Sequence, residues 1–269
     1  MSTQFTAPDF ISDISQNGGK LLVVVVGAGG TGSALLGKLF QLNNVITSLG
    51  GDALDVVVFD DDTVSPSNVG RQAYYPFDVG RNKSEVLVER FSQFGGDAGN
   101  WRYSPTKFHS GSLNTLTTFR HKGVIIFGCV DNAQGRIEMH KAMKNQRNCI
   151  YIDAGNAQRS GNVIAGMKAV VGKQEVYYPT VYDLYRTQLD EWQPVAGDSC
   201  SHEESIRRQD FGLNDVMAFH SVQILWQLLR HGVCQYQTVS VDLELGITSH
   251  HGADPEYWSM FGFGGTATH

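Results

Sequence analysis

Residues 21–26 read Leu-Leu-Val-Val-Val-Val and run directly into Gly27-Ala28-Gly29-Gly30-Thr31-Gly32. A β-branched apolar run without alternation predicts a strand buried on both faces. Glycines at its end permit a tight turn and close approach of the backbone to a phosphate. Leu35, Leu36, Leu39, Phe40 and Leu42 follow at helical spacing, predicting a helix over residues 31–43. A helix that opens in the glycine turn aims free N–H groups and a partial positive charge at whatever sits over the turn. Strand, turn and helix together predict a nucleotide-binding βα unit.

The first half of the chain repeats this alternation. Residues 54–59, 123–129 and 149–153 read as buried strands, with a shorter strand near 101–108. Helices are expected at 82–94, 112–119 and 133–146. The pattern predicts an α/β fold, a Rossmann-like doubly wound and mostly parallel sheet. After about residue 160 the pattern changes. Residues 163–171 and 175–178 read as antiparallel strands, and 183–212 as a long polar loop with room for one short helix. Residues 214–230 read as an amphipathic helix and 239–245 as a strand. The expected organisation is a polar, irregular lead-in (1–20) and a nucleotide-binding core (21–160). A C-terminal extension of the same domain (161–261) follows, with antiparallel strands, loop and long helix. A glycine-rich tail (262–269) is expected to be mobile.

Composition narrows the function. The 27 acidic and 21 basic residues give a net charge of −6, which argues against a broad nucleic-acid surface. It leaves room for a small anion site built from a few cations. The run 21–26 is far shorter than the roughly 20 apolar residues that cross a bilayer. Residues 1–9 carry no basic flank and no apolar stretch, so no membrane partner and a cytoplasmic location are expected. Cys129, Cys149, Cys200 and Cys234 form no CxxC pair, so neither zinc nor a disulfide framework is expected.

Asp60 ends the second strand, where an acid can accept hydrogen bonds from ribose hydroxyls. To this point NAD and ATP both fit. The run 59–72, Phe-Asp-Asp-Asp-Thr-Val-Ser-Pro-Ser-Asn-Val-Gly-Arg-Gln, favours ATP. It sets Asn68, Arg71 and Gln72 just beyond the ribose acid, and Lys83 opens the next helix. Arginine binds phosphate oxygens as a fork and lysine as a point charge, and a triphosphate needs both. Asp61 reads as a solvated turn residue, and Asp62 and Thr63 as residues that order the turn. Gly128-Cys129-Val130-Asp131-Asn132 ends another strand, and a carboxylate there is placed to hold Mg²⁺.

The loop 27–32, the run 59–72, Lys83 and the run 128–132 together resemble the ThiF/MoeB/ubiquitin-activating-enzyme superfamily, densely over residues 20–156. The resemblance implies a phosphate loop at Gly27, Gly29, Gly30 and Gly32, with Asp60 on the ribose. It implies Asn68, Arg71 and Lys83 on the phosphates, with Gln72 in polar support. Asp131 would hold Mg²⁺ and help place the attacking carboxylate; Asn132 and Arg136 match the extended run. The implied activity is ATP-dependent adenylation of a C-terminal carboxylate, most often that of a small ubiquitin-like protein, by a homodimer. The second half, at Ser199-Cys200-Ser201 and Gln209-Asp210, is most similar to the ThiF-type protein of bacterial PRTRC systems.

Two departures qualify the pattern. Many members draw an arginine from the N-terminal region of a partner subunit, yet the first arginine here is Arg71. Lys20, another segment or another chain must replace it, or the protein is a non-catalytic nucleotide-binding scaffold or partner subunit. Cys200 lies in Asp198-Ser199-Cys200-Ser201-His202-Glu203 and is the candidate for a thioester. His202 would lower its pKa, whereas Asp198, Glu203 and Glu204 oppose that.

Overall fold

The computed structural model of the chain describes residues 4–11, 19–94, 100–193 and 210–264. In chain order the elements of its first half are β1 (Phe5–Thr6), β2 (Lys20–Val26), α1 (Gly30–Ser48), β3 (Asp55–Phe59), α2 (Lys83–Gln93), β4 (Arg102–Ser104), α3 (Leu113–Leu116), β5 (His121–Gly128), α4 (Ala133–Asn145) and β6 (Cys149–Asn156). The second half contributes β7 (Ser160–Val171), β8 (Gln174–Tyr178), α5 (Val181–Leu184), α6 (Arg186–Asp190), α7 (Leu213–His231), β9 (Val233–Cys234), β10 (Thr238–Asp242), β11 (Ile247–His251) and α8 (Pro255–Ser259).

Strands β6, β5, β2, β3 and β4 lie side by side in that order, all parallel. β2 is central. Val23, Val24 and Val25 are fully buried, between Val56–Val58 of β3 and Ile125–Phe127 of β5. Both faces of this sheet are covered, so its strands are continuously apolar. Each such side chain contributes roughly 1.5–3 kcal/mol by leaving water. The chain winds from β2 toward β3 and later returns to β5 on the other side of β2. A crevice therefore opens at the C-terminal ends of β2 and β5, the place where open α/β sheets bind ligands.

β7 turns back antiparallel to β6, then pairs with β10 through its first residues and with β8 through its last. β11 pairs antiparallel with β10, and all five of its residues are exposed. α7 packs along α1 and against β6 and β7. It ends at Gly232 (φ 70°), a left-handed C-terminal cap that only glycine adopts freely.

The mixed α/β architecture, mostly parallel with antiparallel strands and a long helix added, matches the pattern read from the sequence. Several details differ. The lead-in is not simply polar and irregular: Phe5, Ala7, Phe10 and Ile11 are buried in the core, and β1 pairs with β9. These few apolar residues carry no periodicity, so only the distant partner reveals them. The strand near 101–108 is confined to Arg102–Ser104, and the helix at 112–119 to one turn. α1 runs five residues past the expected end, to Ser48. The expected long loop opens with two short helices, α5 and α6, while residues 194–209 lie outside the described set. His250 and His251 are exposed at the end of β11, and His251 stacks on Tyr257 at 4.0 Å between ring centres. Of the tail, residues 265–269 also lie outside the description. No helix among the described residues is long and apolar enough to cross a membrane.

Candidate functional site

The crevice is a cleft of roughly 1070 Å³ at the C-terminal edge of the parallel sheet. Gly27, Gly29, Gly30, Asp60, Asn68, Arg71, Gln72, Lys83, Asp131 and Asn132 all line it. Of the glycine-loop residues singled out by sequence, Gly32 stays outside the lining.

The glycines divide by what surrounds them. Gly27 has φ 96°, and a Cβ there would meet the Cys129 carbonyl oxygen at 2.6 Å. A Cβ on Gly32 would overlap the Gly27 carbonyl, and one on Gly30 would overlap the Asn214 amide. Those three are explained by protein packing. Around Gly29 no atom lies within 4 Å of the Cβ position. Its backbone faces open cleft at the first turn of α1, which is the space a phosphate needs.

Asp60 fixes this loop from β3. Its Oδ2 accepts a 2.5 Å hydrogen bond from the Ala28 N–H, and its Oδ1 accepts from the Asp62 N–H at 2.9 Å. Burial raises its carboxyl above the usual 3.8, opposed by the Ala28 N–H, Lys83 and the Asp62 N–H. Tyr74 holds the next peptide of the loop, on the carbonyl side of Ala28. Its hydroxyl donates to the Ala28 carbonyl at 2.6 Å and contacts the Lys83 carbonyl at 3.3 Å. Tyr74 is buried, and burial drives its hydroxyl pKa up, so it stays a donor.

Asn68 is buried, with Oδ1 accepting from the Ser65 N–H (2.9 Å) and hydroxyl (3.1 Å). That orders the turn and leaves its Nδ2 as the donor available to an anion. Arg71 and Gln72 are half-buried on the same wall. Lys83 sits at the first position of α2, almost buried, with Nζ 2.7 Å from Asp62 Oδ2. The Asp62 carboxylate thus bonds a cation rather than its own turn, which corrects the sequence expectation; Asp60 supplies the turn's hydrogen bond instead.

At the end of β5, Asp131 is exposed to the cleft. Asn132 caps α4, accepting from the Gly135 N–H at 2.8 Å. Arg136 donates to Asp153 at 3.1 Å and to the Val130 carbonyl at 3.1 Å, and so braces the loop that carries Asp131. The Asp153 carboxylate holds Arg136 firmly charged.

A third wall was not legible in the sequence. Asn156 at the end of β6 donates through Nδ2 to the Thr31 hydroxyl and to Asn214 Oδ1, each at 2.8 Å. Thr31 also donates to Asn214 Oδ1 at 2.8 Å. This trio ties the first turn of α7 to the first turn of α1. Tyr74 was within reach of sequence reasoning, two residues past Gln72; Asn214, 183 positions from Thr31, was not.

Cys200 lies outside the described residues. The other three cysteines are free, and burial pushes each thiol above its usual range. Such thiols are poor nucleophiles at neutral pH. Lys20 opens β2 in a separate hollow with Arg102, Arg120 and His121. Six residues of extended strand, about 20 Å, separate it from Val26 at the cleft. It cannot reach the phosphates of a nucleotide bound there, so this chain's Lys20 is not the missing N-terminal cation.

The model of the ThiF family matches residues 1–206. Among solved structures, PaaA in its selenomethionine form superposes with a TM-score of 0.59 at 15% identity, over 91% of this chain and 66% of that one. MccB of E. coli with succinimide superposes with a TM-score of 0.55, also at 15% identity and with the same coverage. At this identity the likeness shows the fold, and the chain spans just under two thirds of either protein's length. No curated protein matches the sequence.

Proposed function

The chain belongs to the ThiF family, and on that premise we propose that it uses ATP to adenylate the C-terminal carboxylate of a small ubiquitin-like protein. One observation carries the reading. Asp60, Asn68, Arg71 and Lys83 from the β3–α2 segment converge with Asp131 from the loop after β5 on one cleft, beside the open backbone at Gly29.

In this reading the ribose hydroxyls donate to Asp60, and the phosphates lie over Gly29 at the start of α1. Asn68 Nδ2, Arg71 and Lys83 face the phosphate oxygens. A carboxylate oxygen of the substrate attacks the α-phosphorus. The new carboxylate O–P bond forms as the bond to the bridging oxygen of the β-phosphate breaks, giving acyl-adenylate and pyrophosphate. The protein positions the two anions and offsets their charge. No protein base is needed, because a C-terminal carboxylate is ionised at pH 7. Mg²⁺ suits a site of one carboxylate plus phosphate oxygens, and Asp131 is the residue that would hold it. There it would offset the charge of the phosphates.

The finer parts of the proposal follow. With Lys20 at the far end of β2, a second chain completes the cation set, as a homodimer would allow. With the thiols of Cys129, Cys149 and Cys234 raised, Cys200 is the candidate for any thioester, and a reaction that stops at the adenylate is the alternative. The likeness of the second half to the PRTRC protein supports a ubiquitin-like substrate.

ATP–pyrophosphate exchange with the cognate small protein tests the reading. Exchange that depends on that protein supports it. ATP binding without exchange, even with a partner present, would instead support a nucleotide-binding scaffold. The substrate is best found by pull-down of the native partner, with mass spectrometry of its C-terminus.

A further inference from the structure

Lys83 is 8% exposed, and its ammonium rests 2.7 Å from the Asp62 carboxylate. The two side chains differ sharply in setting, with 10% of the Lys83 side chain exposed and 65% of Asp62. A cation removed from water needs an anion near it. Here that anion is Asp62. The backbone of Asp62 is held independently: its carbonyl accepts from the Lys83 N–H and from Asn82 Nδ2, both at 3.0 Å, and its N–H donates to Asp60.

A phosphate chain entering the cleft brings a second anion to the same ammonium. Two anions on one cation repel each other, and the one that leaves at least cost is the one already mostly in water. We propose that Asp62 is an exchangeable counterion for Lys83. It holds the ammonium in the cleft until phosphate displaces it, and it returns as pyrophosphate departs. Asp62 is thus a positioning residue that sets ATP affinity by competition. This inference rests on the nucleotide reading of the cleft.

Calorimetric titration of wild type and Asp62→Asn with MgATP and with adenosine tests it, with folding checked by circular dichroism. Asp62→Asn should bind MgATP more tightly by about 1.5- to fivefold, the range for an ion pair with one partner mostly in water. Adenosine, which carries no phosphate, should bind both proteins alike. Asp62→Ser, equally uncharged, should repeat the result, and in a Lys83→Met background the gain should vanish. Unchanged or weaker MgATP binding overturns the inference; weaker binding would make Asp62 a direct support of the nucleotide or its metal. An equal gain for adenosine, or a gain that survives loss of Lys83, also overturns it. A wild type that binds adenosine but gains nothing from the phosphates overturns this inference alone. A wild type that binds neither ligand overturns the nucleotide reading as well.

Discussion

Asp60 Oδ2 lies 2.5 Å from the backbone nitrogen of Ala28, so the acid that ends β3 also holds the glycine loop that follows β2. The carbonyl of the same residue, Ala28, is gripped by Tyr74. A residue proposed to bind ribose therefore also shapes the phosphate site.

This double role gives a pH signature. Burial raises the Asp60 carboxyl, so the folded chain keeps that proton to a higher pH than the unfolded chain, whose value is near 3.8. Ionising Asp60 then costs stability as pH rises from 3.8 through the raised value. Urea midpoints of wild type and Asp60→Asn should show the wild type losing ground across that acidic window and no further change above it. A difference that does not vary with pH would count against the assignment.

Tyr74→Phe removes a hydroxyl that touches no proposed ligand. It leaves the Ala28 carbonyl without this donor, at a cost of about 1–2 kcal/mol of stability. ATP affinity should fall with it, because the loop loses one of its two anchors. Denaturant melts and ATP titration read the two effects; a variant normal in both would show that the loop does not depend on Tyr74.

The glycines should separate by phenotype. Gly32→Ala drives a Cβ into the Gly27 carbonyl and should cost about 2 kcal/mol or more of stability. Gly29→Ala meets no protein atom and should leave stability within about 0.5 kcal/mol. It should nevertheless weaken ATP about tenfold, the loss of one close backbone contact worth about 1.4 kcal/mol. Undiminished ATP binding by Gly29→Ala would place the phosphates elsewhere.

Asp131 is exposed and its loop is braced by Arg136, so Asp131→Asn should fold like wild type. Pyrophosphate exchange should drop by about 10²-fold if the carboxylate stabilises charge in the transition state. Exchange at the wild-type rate would remove Asp131 from the machinery.

Cys200→Ala should retain pyrophosphate exchange and lose any adduct that dithiothreitol cleaves. If an adduct persists undiminished in that variant, the thioester is not on Cys200.

The sequence was most legible where neighbours along the chain do the work. The run 21–26 declared a buried strand, because a strand covered on both faces has no polar alternation. Gly27 to Gly32 declared the turn that follows, and residues 59–72 carried Asp60, Asn68, Arg71 and Gln72 on one continuous segment of the cleft wall. Less was legible at Phe5 and Phe10, whose burial depends on β9 and β5, and at Asp62, whose partner was read as a phosphate ligand rather than a counterion.

What the sequence determined by itself was the βα unit, the alternation that builds the parallel sheet, and the residue types at its C-terminal edge. These follow from local periodicity and from backbone requirements that act over a few residues. Only the tertiary structure decided that Lys20 lines a hollow away from the cleft, that Asp60 and Tyr74 hold the two sides of Ala28, and that Asn214 closes on Thr31 across 183 positions. Those relationships arise from strand order and helix docking. A hydrogen bond between distant segments leaves no periodic trace in either of them.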